Sequence, residues 1–143
     1  MDERTFIRDV GKRLACDERR ADAVTLAVFR QLHDRLTPKE AADVEAQLPS
    51  ALKRLWQERD RPERRVEKTH REEFVGLVQQ AAALADTAEA ERAILAVFAT
   101  LQRLLGSPTG TEGEAWDVFS QLPKDLKRLW LAAADRPAAG RST

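Results

Sequence analysis

QLPSALKRLW at residues 47–56 and QLPKDLKRLW at residues 121–130 are two versions of one segment within the same chain. The similarity continues upstream, where Leu-Ala-Val-Phe occupies residues 26–29 and again residues 95–98. An internal repeat of this kind indicates that the two copies fold alike or pack against each other. We therefore predict two tandem copies of one structural unit.

Both copies have the composition and the residue spacing of α-helices. Ala, Leu, Arg and Glu dominate the chain and β-branched runs are missing, which favours an all-α class. Apolar residues recur at helical spacing in four stretches of each copy. In the second copy the longest stretch, residues 93–105, is apolar on almost all sides and is predicted to be the central helix. The predicted fold is two tandem four-helix repeats packed into one bundle-like domain.

Several helix starts can be predicted from capping residues. Asp17 is suited to cap the second helix, because its side chain can accept a hydrogen bond from a free backbone N–H. Thr37 and Glu40 have the spacing of a capping box at the start of the third helix. Thr111 and Glu114 have the same spacing in the second copy, so we expect a second capping box there.

Each third helix is followed by Leu-Pro, at residues 48–49 and 122–123. Proline does not fit inside a helix, but it suits the first turn of a new one. The two Leu-Pro pairs therefore predict sharp corners, each leading into a short fourth helix that carries the Lys-Arg-Leu-Trp segment.

The limits of the repeats predict how the chain is divided. The first repeat is assigned to residues 1–61 and the second to residues 74–136, since each copy ends in Asp-Arg followed by Pro. Residues 62–73 alternate in charge and are expected to form a charged linker leading into the next helix. Residues 137–143 are expected to form a flexible C-terminal tail.

Composition limits the classes of function. The 143 residues include 24 Lys and Arg and 24 Asp and Glu, so the formal net charge is zero. A neutral chain is not drawn strongly to nucleic acid or to anionic membranes. The N-terminus has no apolar signal core, and the longest apolar stretch, residues 93–99, is too short to span a bilayer. We expect a cytoplasmic protein with no membrane span.

No pattern in the chain points to catalysis, to a cofactor or to a metal. Cys16 is the single cysteine, and His33 and His70 are the only histidines. His33 is expected to face outward on the second helix. Metal sites need several converging ligands, and nucleophilic catalysis needs a hydroxyl or thiol beside an oriented base. Neither arrangement is visible, so we predict no catalytic residues, no cofactor and no enzymatic activity.

The repeated fourth helix supplies the candidate interaction surface. Its Lys-Arg pairs lack an evident structural role, and Arg and Trp are frequent at protein interfaces. The candidate residues are Lys53, Arg54, Trp56, Lys127, Arg128 and Trp130. The alternative for the two tryptophans is a place in the core beside the leucines of the same helix. A third tryptophan, Trp116, has Ala42 as its counterpart and is expected to fill a gap or to lie at an interface.

The Ala-Val-Phe helix, the Leu-Pro corner and the following Leu-Lys-Arg-Leu-Trp resemble the bacterial domain-of-unknown-function family 2267, from Phe6 to about Trp130. The resemblance implies an all-helical bacterial protein and transfers no catalytic residue. We expect a non-catalytic interaction or scaffold module with a protein partner, or one that self-associates. Two alternatives stay open: nucleic-acid binding through the basic fourth helices, and binding of a small molecule or lipid between the repeats.

Overall fold

The computed structural model describes residues 2–57, 71–107 and 109–134, and these residues form α-helices and no strand. The predicted all-α class is therefore confirmed. The tail at 137–143 and most of the linker at 62–73 lie outside the described residues, although the last three linker positions form the first turn of the fifth helix. The helices are α1 (Glu3–Leu14), α2 (Glu18–Asp34), α3 (Pro38–Gln47), α4 (Ser50–Gln57), α5 (Arg71–Ala81), α6 (Thr87–Leu104), α7 (Gly113–Gln121) and α8 (Lys124–Ala133).

The helix α6 lies at the centre of the fold, as its sequence predicts. It contacts α1, α2, α5 and α8. Every side chain from Ala93 to Gln102 is buried, because apolar residues cover all sides of this part of the helix.

Helices from the two halves of the chain are interleaved. α1 packs on α6, α2 packs on both α5 and α6, and α3 packs on α7. One hydrophobic core contains residues from every helix. Neither half therefore buries its apolar side chains by itself.

An ion pair joins the end of α2 to the start of α8. Nη2 of Arg35 lies 2.9 and 3.0 Å from the two carboxylate oxygens of Asp125. The Arg35 side chain is 7% exposed, and its guanidinium carbon lies 5.9 Å from the centroid of the Phe74 ring on α5. A single side chain thus connects three helices across the two halves.

Capping residues start α2 and α3 as predicted, but not α7. The Asp17 side chain accepts a hydrogen bond from the backbone N–H of Arg20 at 2.9 Å. Thr37 and Glu40 form both hydrogen bonds of a capping box, at 3.2 and 2.9 Å.

The predicted second capping box, Thr111 with Glu114, is wrong. The helix α7 begins at Gly113, and its N-cap residue is Glu112, which makes no side-chain capping bond. The preceding loop has its own hydrogen bonds, since the Ser107 hydroxyl accepts from the Glu112 N–H at 3.2 Å. The Thr111 hydroxyl bonds Thr109 at 3.0 Å and is not available to α7.

Each Leu-Pro pair turns the chain into a new helix. The backbone N–H of Lys53 donates to the carbonyl of Pro49 at 3.0 Å, and that of Lys127 donates to the carbonyl of Pro123 at 2.9 Å. The prolines thus stand immediately before α4 and α8, one residue earlier than the predicted first turn. This position needs a carbonyl acceptor but no N–H donor, so the missing N–H of proline breaks no helical hydrogen bond there.

Asp9 accepts three hydrogen bonds, one within α1 and two that connect α1 to α6. It accepts from Nε of Arg13 at 2.9 Å, from the Thr100 hydroxyl at 2.8 Å and from Nη1 of Arg103 at 3.0 Å. Burial alone would raise the pKa of the Asp9 carboxyl, but the hydrogen bonds from Arg13 and Thr100 and the two positive charges outweigh it. The pKa of Asp9 therefore lies below its usual value of 3.8.

We expect Asp9→Asn to lower the free energy of unfolding by about 2 kcal/mol at neutral pH, because the charged hydrogen bonds are lost. A carboxyl with a lowered folded-state pKa stabilises the fold above its unfolded-state pKa, and the effect disappears as pH falls through the folded-state value. In urea denaturation, the free energies of unfolding of the wild type and the variant should therefore converge between about pH 5 and about pH 2. A difference in free energy of unfolding that stays constant over this pH range would contradict the stabilising role of the Asp9 carboxylate.

Candidate functional site

The two repeated tryptophans lie in the core. Trp56 is 2% exposed and Trp130 is fully buried. Nε1 of Trp56 donates to the carbonyl of Ala41 at 3.1 Å, and Nε1 of Trp130 donates to the carbonyl of Gly110 at 2.6 Å. These contacts agree with the alternative prediction from the sequence, that the two tryptophans belong to the core. Neither ring is accessible to a partner in this structure.

Each buried tryptophan packs against a phenylalanine of the longest helix in its own half. The ring centroids of Trp56 and Phe29 are 5.9 Å apart, and those of Trp130 and Phe98 are 5.3 Å apart. These four aromatic side chains thus form two pairs of packed core residues.

His33 is buried, so the prediction that it faces outward is wrong. Its side chain is 2% exposed, and its ring centroid lies 5.0 Å from that of Trp56. The prediction fails because of tertiary packing. The helices α1, α4, α5 and α6 all pack on α2 and leave it only a narrow outer face. Gln102, at the equivalent repeat position, is buried as well and donates from Nε2 to the carbonyl of Trp130 at 2.8 Å.

The basic candidates occupy different environments. Lys53 is partly buried, and Arg128 is exposed. Nζ of Lys127 lies 5.5 Å from the centroid of the Phe119 ring, a distance at which a cation is attracted to an aromatic face. The side chain of Arg54 lies outside the described residues. A contact between these cations and a partner stays a prediction.

The most exposed aromatic side chain in the described residues is Trp116. It is 49% exposed, and its ring centroid lies 5.4 Å from that of Phe119. Trp116 therefore does not fill a gap in the core, and a role at an interface stays a prediction. We call the surface formed by Trp116, Phe119 and Lys127 the α7–α8 face. The sequence did contain a signal for Phe119, because the first copy has Glu45 at its equivalent position, just as it has Ala42 for Trp116.

Charges of opposite sign lie on the two helices that form the α7–α8 face. Three exposed carboxylates lie on α7 or directly before it, and three cations lie in the first two turns of α8. The acidic residues are Glu112, Glu114 and Asp117, and the basic residues are Lys124, Lys127 and Arg128. The one carboxylate of α8, Asp125, is paired with Arg35.

A shallow, open depression surrounds Cys16 but lacks the features of a reactive site. Arg8, Lys12 and Glu18 are among its lining residues, and Arg8 is already paired with Glu18 at 2.9 Å. Burial, with the nearby charge of Asp17, raises the pKa of the Cys16 thiol. Because the nucleophile is the thiolate, this environment disfavours thiol chemistry at neutral pH.

Residues 2–57, 71–107 and 109–134 contain no group of three or more His, Cys, Asp or Glu side chains placed to hold a metal ion. None of their helices is long and apolar enough to cross a membrane.

Comparison with known proteins gives one result beyond the geometry. None of the curated proteins compared with the chain matches it. A family model described as "Uncharacterized conserved protein (DUF2267)" matches residues 3–129, which span all of α1 to α7 and more than half of α8. The chain therefore belongs to the DUF2267 family, as the Leu-Pro corner and the Lys-Arg-Leu-Trp segment indicate.

Proposed function

We propose that the chain is a non-catalytic protein-interaction module and that the α7–α8 face is its docking surface. The observation that carries the proposal is the exposure of Trp116. Tryptophan is the residue most enriched in the energetically dominant parts of protein interfaces. Here it lies on α7 beside the Phe119 ring, which in turn contacts Lys127.

The rest of the described chain shows that this exposure is unusual. Trp56, Trp130 and the other phenylalanines, Phe6, Phe29, Phe74 and Phe98, are at most 2% exposed. The fold thus has room for aromatic rings in its core and leaves the Trp116 ring outside. Leu131, which is 48% exposed, follows Lys127 by one helical turn and extends the apolar part of the surface.

The charges around the face specify the chemistry of the partner. A complementary protein surface would present an apolar centre, basic groups opposite α7 and acidic groups opposite α8. A nucleic acid fits less well, because the carboxylates of α7 would repel its phosphates. Nucleic-acid binding by the fourth helices and ligand binding between the repeats stay predictions.

Photocrosslinking tests the docking surface. A photoreactive phenylalanine analogue placed at position 116 should form protein adducts in cells, whereas the same analogue at the exposed position Arg92 on α6 should not. The adducts should also disappear when Lys127→Glu is introduced into the crosslinking chain. Equal yields at the two positions, adducts that ignore Lys127→Glu, or adducts with nucleic acid alone would refute the proposal.

A further inference from the structure

We infer that the α7–α8 face binds an amphipathic helix of its partner protein, and that carboxylates border the apolar stripe of that helix. The inference rests on the proposed function and names the chemistry of the partner at the same surface. In this arrangement the apolar stripe packs on Trp116, Phe119 and Leu131, and the carboxylates lie against the cations of α8.

The chain carries this surface in two versions, and only the second version is apolar. Residues 41–50 and residues 115–124 agree position by position in whether the side chain is buried, partly buried or exposed. At three positions a large apolar residue in the second version replaces a small or polar one in the first. These replacements are Trp116 for Ala42, Phe119 for Glu45 and Leu131 for Gln57. The fold therefore needs no apolar side chain at these positions, and a partner accounts for them better than internal packing does.

Contacts and helix geometry place the charges around the apolar residues. On α7, Phe119 and Asp117 lie on opposite sides of Trp116, because successive residues are rotated by about 100° around a helix. Nζ of Lys127 lies 5.5 Å from the centroid of the Phe119 ring, so α8 is on the Phe119 side. Glu114 is rotated by about 200° from Trp116 and lies on the far side of α7. The charges next to the two aromatic rings on the α8 side are therefore positive.

The cations of α8 are available to a partner. Lys124, Lys127 and Arg128 form no ion pair within the part of the chain that the structure describes. Asp125 is rotated by about 200° from Lys127 and pairs with Arg35, so it does not neutralise the lysine beside Phe119. Carboxylates on the partner would therefore complement this border of the apolar residues.

A helix is the form of partner segment that suits this surface. The described residues form helices and no strand, so they offer no sheet edge with which an extended segment could pair. A helix satisfies its own backbone hydrogen bonds, and its residues at i, i+3, i+4 and i+7 form one apolar stripe. Carboxylates along one border of that stripe can lie on the α8 side, away from Asp117.

Two synthetic helical peptides test the chemistry of the partner. Both have a leucine stripe with glutamine along one border, and the other border carries glutamate in one peptide and lysine in the second. Fluorescence anisotropy of the labelled peptides with the full chain gives the two dissociation constants. We expect the glutamate peptide to bind at least about tenfold more tightly than the lysine peptide. Lys124→Glu with Arg128→Glu should reverse this preference.

Exchanging the two versions of the surface tests the apolar residues. Trp116→Ala with Phe119→Glu and Leu131→Gln gives the second version the residues of the first. Circular dichroism should show this variant folded, because the chain already holds the same residues at the equivalent positions. We expect it to bind the glutamate peptide at least about tenfold more weakly than the wild type. Arg92→Glu, a charge reversal away from the face, should leave the affinity unchanged.

A wild type that binds neither peptide, or that binds both equally, would overturn the inference, as would an unchanged affinity in the exchange variant. Mass spectrometry of the adducts formed at position 116 locates the partner segment directly. If those adducts depend on Lys127 but lie in a proline-rich or basic segment, the inference fails and the proposed function survives.

Discussion

Replacing Trp130 with alanine should lower the free energy of unfolding by about 4 kcal/mol, since truncation of a fully buried tryptophan leaves a large cavity. The loss includes more than apolar burial. The indole N–H donates to the carbonyl of Gly110, and the ring packs on Phe98 at the centre of the fold. Trp56→Ala should cost a similar amount, because its ring has the same kind of contacts in the other half.

Urea denaturation followed by circular dichroism measures this loss, and Trp116 provides the matched control. Trp116→Ala removes an equally large ring from a half-exposed position, so we expect a change within about 0.5 kcal/mol. Comparable losses for Trp116→Ala and Trp130→Ala would show that the buried and exposed tryptophans have been assigned incorrectly.

The second large effect is expected at Gly110. Its φ of +75° lies in the left-handed region, where a side chain is unfavourable. A Cβ atom built there would lie 2.6 Å from Nε1 of Trp130 and 2.7 Å from the Gln102 side chain. Both neighbours are buried, so neither can move aside easily. We expect Gly110→Ala to lower the free energy of unfolding by about 3 kcal/mol, from backbone strain and overpacking together.

A substitution at Gly106 separates the backbone strain from the overpacking. This glycine has the same φ of +75°, but a Cβ atom there would meet nothing within 4 Å. Gly106→Ala should therefore cost only the backbone term, about 1 kcal/mol. Thermal denaturation of both variants gives the steric part as the difference between them. Equal losses would mean that the loop moves away from Trp130 without penalty.

The sequence predicts those parts of the fold that depend on neighbours along the chain. The caps at Asp17 and Thr37 and the corners at Pro49 and Pro123 follow from chemistry within one helical turn, and the structure contains all four. The central position of α6 follows from its apolar surface, which is also a local property. The Thr111 capping box fails because the loop from Ser107 to Glu112 forms hydrogen bonds that its spacing alone does not reveal.

Burial that depends on distant helices was harder to predict. His33 looks like a surface residue within its own helix and is covered because other helices, among them α4 with Trp56, pack on α2. The α7–α8 face was missed for the converse reason. A sequence repeat emphasises the residues that recur, whereas Trp116 and Phe119 differ from their counterparts Ala42 and Glu45. The α7–α8 face is therefore indicated by residues that differ between the two copies, not by residues that the copies share.

The interleaving of the two halves has a consequence for how the chain acquires its structure. Because α1 requires α6 and α3 requires α7, contacts between residues far apart in sequence must form before either half is stable, and such contacts slow folding. A chain cut between residues 57 and 71 should therefore give two fragments that are unstructured separately. Mixed together, they should assemble into the complete fold, so the two halves behave as complementary subunits that happen to share one polypeptide.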